Sequence, residues 1–554
     1  MTDQPTLPET TIDGRARAEA LAAFDQGDVT PTAAVGFVSR GRCLVIGEEA
    51  RALAAAERLG ASLTCVVAVP SDQAPSATII RGTRLVLGGR PRIRGALGDF
   101  EAWFAATGEG QELGALLIPP VERFDLVLDL QSPPSLQQAM LPLGYYAPGP
   151  DDYALEQVLT VLPDMQGEFE KPKYTDYDPE ICAHGRSGKR GCTRCIDACP
   201  AEAIVSIGER IQVNPYLCQG GGACATACPT GAITYAYPPA ADLANALRQA
   251  LQRYRAAGGT AASVLFYDEH SREALFEALA GLPERVLPVQ VEEIGSVGID
   301  AWLVALAHGA GAVALLSSDS TPAQVVEATQ DQLVTARAIL AGMGYEQGCI
   351  QLLNADQPAA ALAALGELPA GGAMRPATFL TPPDKRGRLR LALEHLHAQA
   401  PAPRRSVPLP AGAPFGEVRV DTRGCTLCMS CVSVCPTHAL LDGRGLPQLN
   451  FREWDCVQCG LCARACPEGV VTLSARFLYD VEARERPRTL HEEQPVCCVS
   501  CGKPFATQSM LDVLGRKLAG HWMFQTEEAR RRLQMCEDCR VRDLFAEQAR
   551  KERD

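Results

Sequence analysis

The sequence predicts a multidomain protein of α/β and α+β parts, in which two cysteine-rich modules flank a small doubly wound α/β domain. An α/β region precedes them and a zinc-ribbon-like region follows. Three observations support this: fifteen of the 23 cysteines fall into two blocks, strand-like runs alternate with helical segments between the blocks, and two Cys-x2-Cys pairs lie near the C-terminus. The predicted regions are 1–170, 171–237, 238–370, 371–414, 415–480 and 481–554.

The N-terminal region, 1–170, has apolar runs at 43–46 and 124–128 and an alanine-rich helical stretch at 48–59. Short strands that alternate with helices are typical of an α/β unit. Gly47 ends the first run before a helix, but no G-x-G-x-x-G pattern follows it. A dinucleotide site is therefore not favoured in this region.

The block at 171–237 departs in two places from the Cys-x2-Cys-x2-Cys-x3-Cys-Pro spacing of two-cluster modules. Its first run has a seven-residue insertion after Cys182 that carries Arg186, Lys189 and Arg190, and its second run has Gly221 where a cysteine is expected. In such modules the Cys-Pro cysteine of one run completes the cluster of the other. This rule predicts a 4Fe-4S cluster at Cys182, Cys192, Cys195 and Cys228, and leaves three thiolates for a second cluster, those of Cys199, Cys218 and Cys224.

The three-thiolate site is predicted to hold a 3Fe-4S cluster. One alternative is a 4Fe-4S cluster whose fourth iron binds water, another side chain or an external ligand, and the other is a site without a cluster. His184 is a possible substitute ligand, because imidazole replaces thiolate on iron in some clusters. A loop histidine beside Cys182 with no ligand role is the favoured interpretation.

The central domain, 238–370, is predicted to be a small doubly wound parallel sheet, because strand-like runs alternate with helices at 262–266, 286–291, 312–316 and 349–353. Ligands of such sheets bind beyond the carboxyl ends of the strands. Here that edge includes Glu292, Glu293, Gly295, Ser296 and Gly298. A tight strand-to-helix turn is the favoured reading of these glycines, and a docked flavin phosphate or partner is the alternative.

The segment 371–414 is predicted to be a linker with a short helix, semi-extended from Pro401 to Pro414. The second module, 415–480, then shows two complete runs of the cluster spacing. The crossing rule predicts two further 4Fe-4S clusters here. One would bind Cys425, Cys428, Cys431 and Cys466, and the other Cys435, Cys456, Cys459 and Cys462.

The C-terminal region, 481–554, carries two Cys-x2-Cys knuckles joined by a predicted helix at 510–518. Paired knuckles of this kind match a tetrahedral structural zinc site. The predicted ligands of one Zn2+ are Cys498, Cys501, Cys536 and Cys539. A further iron–sulfur centre and ordinary thiols are the alternatives. If Cys497 were a ligand in place of Cys498, the register of the first knuckle would shift by one residue; this is the less regular choice.

Composition excludes several classes of protein. The chain has 554 residues, is 47% hydrophobic and carries a formal charge of -14, with no long basic run, so a nucleic-acid surface is not expected. No stretch approaches the apolar length of a membrane span. The first thirteen residues lack an export signal, and the cysteines follow metal spacings, so a reducing cytoplasm is predicted.

The two cysteine blocks resemble bacterial two-cluster ferredoxin domains. The whole layout, including CAHGRSGKRGCTRCIDACP and the CVSCGKPF segment, is similar to the long ferredoxin-type proteins that accompany formate dehydrogenases in proteobacteria. This resemblance implies electron transfer to or from a molybdenum- or tungsten-containing enzyme. The central domain resembles in architecture the delta subunit of methyl-viologen-reducing hydrogenases, but Cys349 is its only cysteine after residue 262, so no cluster is implied there.

We therefore predict a cytoplasmic iron–sulfur protein that relays single electrons as a subunit or partner of a redox enzyme, with formate dehydrogenase as the suggested partner. The alternatives are a flavin-containing or open-cluster oxidoreductase subunit and an assembly factor for a molybdoenzyme. No nucleophile–base pair is visible, so no catalytic residue is predicted, and no motif supports a flavin.

Overall fold

The chain has a mixed α/β architecture, and the computed structural model describes residues 9–24, 33–104, 111–272, 281–370 and 375–551. Within this part of the chain, no helix is both long and apolar enough to cross a bilayer.

A six-stranded sheet forms the centre of the N-terminal region. Its strand order is Tyr145–Tyr146, Leu126–Asp129, Arg42–Ile46, Thr64–Pro70, Thr83–Gly88 and Ser76–Ile80. All neighbouring strands are parallel except the last pair. The helices Glu49–Leu59 and Asp152–Val161 cover one face, which confirms the α/β prediction for this region. The strands Pro91–Arg94, Glu101–Phe104 and Gln111–Glu112 form a smaller sheet, and Ala34–Ser39 pairs with Gly167–Pro172.

The first described helix, Ile12–Ala22, packs in the core of the central domain and not in that of the N-terminal region. Its buried residues Ala16 and Ala20 pack in the core of the central domain, and Arg17 donates a hydrogen bond to the carbonyl of Pro283. The predicted region 1–170 therefore does not pack as one unit.

The central domain contains the four predicted strands as a parallel sheet. Their order is Val286–Gln290, Ser263–Tyr267, Ala312–Ser317 and Ile350–Asn354. Helices cover both faces, as a doubly wound sheet requires: Ala240–Ala256, Ile299–Ala307 and Ala323–Met343 pack on one face and Pro358–Gly366 on the other. Both faces are buried, which explains why the strands read as continuous apolar runs.

The predicted linker is in fact part of the folded core. Its helix, Lys385–Ala398, buries Leu389, Leu393 and Leu396 in the central core. The strand Ser406–Pro408 then pairs with Val471–Leu478 of the second module. The expected helix of this segment is therefore part of the central core, whereas the stretch 401–414 that follows it is mostly exposed and buries only Leu409 and Ala413.

The two modules are built from short hairpins and single-turn helices. In the first module, Thr175–Tyr177 pairs with Ile233–Tyr235, Gly185–Arg186 with Lys189–Arg190, and Ile204–Ile207 with Arg210–Val213; its helices are Arg194–Asp197 and Ala223–Ala227. The second module has the strands Gly416–Val420, Leu440–Gly443, Leu446–Phe451, Val471–Leu478 and Arg488–Glu492, and the helices Ser430–Ser433, Leu461–Ala465 and Val481–Glu485.

From residue 493 to 551 the C-terminal region has one hairpin, three α-helices and the short 3-10 helix Trp522–Phe524. The hairpin pairs Pro495–Cys497 with Pro504–Thr507, and the helices are Gln508–Leu518, Glu527–Arg532 and Glu537–Lys551. The helix predicted between the two knuckles is therefore present, beginning two residues earlier than expected.

Candidate metal centres

The eight cysteines of the second module line two cavities. Cys425, Cys428, Cys431 and Cys466 surround one of them, and Cys435, Cys456, Cys459 and Cys462 surround the other. Each group takes three cysteines from one run and the fourth from the other run. The structure thus brings together the same two sets that the crossing rule predicts.

Left-handed backbone conformations shape the loops that carry these cysteines. Leu427 has a φ of 53°, Met429 of 59° and Gln458 of 55°. A non-glycine residue in this region costs about 1 kcal/mol or more and persists only where the surroundings enforce it, most often at functional sites. The turns also direct polar groups at sulfur: the Ala439 amide N–H lies 3.2 Å from Cys435 Sγ, and Gln458 Nε2 lies 3.2 Å from Cys456 Sγ.

The complete cysteine set of the first module, Cys182, Cys192, Cys195 and Cys228, lines a third cavity. The seven-residue insertion folds into the hairpin Gly185–Arg186/Lys189–Arg190. At the base of this hairpin the Cys192 amide donates to the Ala183 carbonyl over 2.8 Å. The insertion therefore projects outward while its ends stay together, which explains how Cys182 joins the group.

The three remaining cysteines of this module, Cys199, Cys218 and Cys224, line a fourth cavity together with Gly221. It offers about the same room as each of the other three cavities. Gly221 does not have the positive φ of its neighbours Gly220 and Gly222. Backbone conformation therefore does not require glycine at the position where the pattern lacks its cysteine.

Met140, from the N-terminal region, lies beside Gly221. Its Sδ is 3.1 Å from the position that a Cβ atom on Gly221 would occupy, and the Met140 side chain lines the same cavity as the three cysteines. The Met140 amide donates to the carbonyl of Pro200 over 3.0 Å, which ties it to the residue after Cys199. Sequence reasoning missed Met140, because it is remote in sequence from the cysteine block.

His184 does not lie at the three-cysteine cavity. It is 1% exposed and lines the cavity of Cys182 instead. Both ring nitrogens have partners, since Nδ1 is 2.9 Å from the Cys192 carbonyl and Nε2 is 2.7 Å from Ser206 Oγ. The idea that His184 replaces the missing cysteine was wrong; the histidine supports the hairpin instead.

Burial raises the pKa of many of these thiols. The pKa of Cys192 is raised to about 11, those of Cys431 and Cys456 to about 12, and that of Cys224 well above its usual value. Buried thiols of this kind keep their protons at neutral pH unless a metal replaces the proton. Three or four such thiols around one cavity are therefore suitable ligands for a metal cluster.

The four cysteines of the C-terminal knuckles form a separate group. Their sulfur atoms all lie within 4.8 Å of one another. The hairpin supplies Cys498 and Cys501, and the beginning of the last helix supplies Cys536 and Cys539. Cys497 is exposed and outside the group, so the structure favours the regular register of the first knuckle.

The two cysteine-rich modules touch each other through the inserted hairpin. Arg186 Nη1 lies 3.4 Å from the carbonyl of Cys435, and Arg464 donates to the carbonyls of Arg190 and Gly191. A Cβ atom on Gly191 would lie 2.8 Å from Leu461 Cγ, so the glycine permits this close approach. The Cys182 cavity and the Cys456 cavity therefore face each other across this contact.

The helix Lys385–Ala398 begins between the two modules. Lys385 is buried, and its Nζ donates to the carbonyls of Ala225, Thr226 and Cys228 in the first module. The next residue, Arg386, donates to the carbonyl of Trp454 in the second module and stacks on that ring, with Cζ 4.5 Å from the centroid. Two adjacent cations thus hold one module each. No cysteine spacing points to these two residues, so they could not be found from the sequence.

The loop at the edge of the central sheet, for which a docked ligand was the alternative to a tight turn, is packed against the first module. A Cβ atom on Gly295 would lie 2.3 Å from the Gly221 carbonyl oxygen, and one on Gly298 would lie 2.8 Å from Cβ of Thr226. Thr226 Oγ1 donates to the carbonyl of Gly295 over 2.9 Å. These two glycines therefore permit docking between two parts of the same chain, and their close contacts leave no room beside them for a flavin phosphate.

Family models match both cysteine-rich modules. A 4Fe-4S dicluster domain matches residues 417–473, and a 4Fe-4S binding domain matches residues 211–234. Curated proteins from three Escherichia coli strains, each named Ferredoxin-type protein NapF, are 40% identical to the chain over 59 residues. That match covers 10% of this chain and 36% of the length of those relatives. The chain therefore carries ferredoxin-type 4Fe-4S domains in both of its cysteine-rich modules.

Proposed function

We propose that this protein is an iron–sulfur electron carrier in which four clusters form one series. Cys182, Cys192, Cys195 and Cys228 would hold one 4Fe-4S cluster, and the two complete groups of the second module would hold one each. Cys199, Cys218 and Cys224 would hold the remaining cluster. Bound clusters would supply one-electron chemistry, and the chain would set their spacing, burial and charge.

The contact between the modules is the observation that carries this proposal. Within each module the exchanged fourth cysteines place two clusters side by side. Across the modules, Arg186 and Leu461 hold the Cys182 cavity against the Cys456 cavity. The order of sites is then the Gly221 cavity, the Cys182 cavity, the Cys456 cavity and the Cys425 cavity. Cys428 is exposed at the last of these, which offers a point of electron exchange with a partner.

The partner would be a cytoplasmic redox enzyme, and formate dehydrogenase is the first to test, on the resemblance of the whole layout. Formate, this enzyme and the oxidised protein would be mixed anaerobically and the iron–sulfur absorbance followed. Reduction that needs all three components is expected. Reduction of the protein by dithionite but never by the enzyme would reject this partner and leave the electron-carrier function standing.

Charge beside the Cys456 site gives a prediction about its reduction potential. Burial lowers the pKa of Arg386 to about 10, so the guanidinium remains cationic at neutral pH, and it lies close enough to Cys456 to interact with it electrostatically. Replacing Arg386 by glutamine should lower the reduction potential of one cluster on the order of tens of millivolts, because nearby charge tunes such centres. EPR-monitored redox titration measures this. Arg390→Gln, on the same helix but half-exposed, is the control, and equal shifts in both variants would contradict the assignment.

We further propose that the four C-terminal cysteines bind one structural zinc ion, since a compact group of four thiolates suits tetrahedral Zn2+. Cys536→Ser should lose the zinc and make residues after 494 sensitive to protease, because metal binding supplies much of the folding energy of such small regions. Metal analysis and limited proteolysis measure these outcomes, with iron content unchanged. Cys497→Ser should retain the zinc, and a Cys536→Ser protein with its full zinc content would contradict the site.

A further inference from the structure

The three-cysteine cavity has a sulfur atom besides those of its cysteines. Met140 Sδ lies 3.1 Å from the Cβ position of Gly221, at the place in the pattern where the missing cysteine would begin. A side chain on residue 221 would press against this thioether, because 3.1 Å is closer than an ordinary van der Waals contact. The glycine and the methionine are therefore complementary in space: the absence of one side chain makes room for the other.

The loop that carries Met140 is held in place by a buried carboxylate. Asp129, at the end of a strand, is fully buried and accepts hydrogen bonds from the Ser135 amide at 2.7 Å and from the Tyr145 hydroxyl at 2.6 Å. Tyr145 in turn accepts from the Leu136 amide at 3.1 Å. At the far end of the loop, the Met140 amide is bonded to the Pro200 carbonyl. Both ends of the segment are thus anchored, which fixes the position of Met140 beside the cavity.

Thioether sulfur is chemically suited to this position. Soft sulfur ligands, thioether as well as thiolate, are preferred at iron–sulfur sites, whereas oxygen donors suit harder cations. Among the described residues that line this cavity there is no histidine or carboxylate; the other side chains with lone pairs are Thr175 and Gln219. Both are oxygen donors, and the Gln219 amide is already directed to the Leu217 carbonyl at 3.0 Å.

We propose that Met140 Sδ is the fourth protein ligand of a 4Fe-4S cluster in this cavity, beside the thiolates of Cys199, Cys218 and Cys224. The inference rests on the proposed function, since it requires a cluster at this site. It replaces the expected 3Fe-4S centre by a cubane with a thioether-bound iron. A neutral ligand in place of an anionic one makes the cluster less negative, which raises its reduction potential.

A lysine beside the cavity also favours a higher reduction potential at this site. Lys171 Nζ donates to the carbonyls of Tyr216 and Cys218, at 2.9 and 2.7 Å. With a neutral fourth ligand and this cation, the Gly221 site would be the most easily reduced of the four and would collect electrons at one end of the series.

The test compares Met140→Leu with the wild-type protein by EPR after anaerobic purification, with iron and sulfide measured on the same samples. Leucine keeps the volume of methionine and removes its sulfur, so the loop should keep its packing. The wild type should show no oxidised 3Fe-4S signal. Met140→Leu should show one, with the loss of a single iron per chain. Met165→Leu, a partly buried methionine of the same region, should match the wild type.

A double variant excludes a purely structural explanation. Gly221→Cys combined with Met140→Ala removes the side chain that crowds residue 221, restores a four-cysteine site and should give no 3Fe-4S signal, with a cluster potential below that of the wild type. An unaltered cubane spectrum in Met140→Leu would overturn the inference and point to Thr175, Gln219 or water. A 3Fe-4S signal in the wild type would overturn it too. The proposed function fails separately if Cys199→Ser changes neither the iron content nor the spectrum.

Discussion

Replacement of Cys459 by serine is expected to break the electron pathway at its centre. Cys459 lines the cavity that meets the first module, and its sulfur interacts with that of Cys192 across the contact. Loss of this ligand should remove or disable one 4Fe-4S cluster while the zinc content stays unchanged. Electron redistribution between the modules should slow by more than about 100-fold, because even changes outside the ligand set cost about 10- to 100-fold at metal sites.

Freeze-quench EPR after mixing with a sub-stoichiometric amount of dithionite measures this redistribution. In the wild type, electrons should reach the clusters of highest reduction potential in a single kinetic phase, whichever module holds those clusters. In Cys459→Ser they should equilibrate inside each module first and between the modules only slowly. Cys497→Ser makes the same chemical change at an exposed cysteine outside the described groups and should behave as the wild type. Undiminished redistribution in Cys459→Ser would contradict the order of sites.

Replacement of Arg388 by methionine should destabilise the central domain by about 3–5 kcal/mol, the usual cost of leaving one partner of a buried ion pair uncompensated. Arg388 Nη2 lies 2.8 Å from Asp300 Oδ2, and the two side chains are only 4% and 7% exposed. The pair joins the helix Ile299–Ala307 to the helix whose first residues hold both modules. Urea unfolding followed by circular dichroism measures the change.

A matched control and a double variant sharpen this test. Arg390→Met, on the same helix but half-exposed, should cost less than about 1 kcal/mol. Asp300→Asn combined with Arg388→Met removes both charges and should recover part of the loss. Equal destabilisation by Arg388→Met and Arg390→Met would show that the buried pair has no special role.

The same ion pair predicts a dependence on pH. Burial pushes the pKa of Asp300 upward, but Arg388 and Lys385 outweigh it, so the net pKa is lowered. Because the pKa of Asp300 is lower in the folded state, its ionisation stabilises the protein at pH values above the unfolded-state pKa of about 3.9. This stabilisation is lost as the pH falls through the folded-state pKa. Without Arg388, burial should dominate and raise this pKa. The stability difference between wild type and Arg388→Met should then shrink as the pH falls from neutral toward about 4. A difference independent of pH would contradict this.

The sequence predicted the cysteine groups well because cluster ligands follow local spacing. The crossing rule needs only the intervals between cysteines, and the four cavities contain the same sets, including the displaced Cys182. The parallel order of the central strands was equally accessible, because strands buried on both faces leave continuous apolar runs. Cysteine spacing and apolar runs are both properties of short segments, and such local patterns can be recognised in a single sequence.

Contacts between remote segments were beyond such reasoning. Met140 precedes Gly221 by about eighty residues, and no local pattern links a surface loop to a glycine in another region. Lys385 and Arg386 lie in the stretch predicted as a linker with a short helix, yet the leucines of that helix are buried in the central core. The same limitation left His184 open as a less favoured substitute ligand, because its proximity to Cys182 in sequence does not show which cavity its ring lines.

If the four cysteine-lined cavities hold redox centres in mutual contact, each should accept one electron. Reductive titration of anaerobically purified protein measures this, with EPR spin integration and with iron, sulfide and zinc determined on one sample. The spectra should also be broadened by magnetic interaction between the modules, and the zinc ion should not titrate. Clusters confined to one module, or fully reduced spectra without interaction between modules, would contradict it.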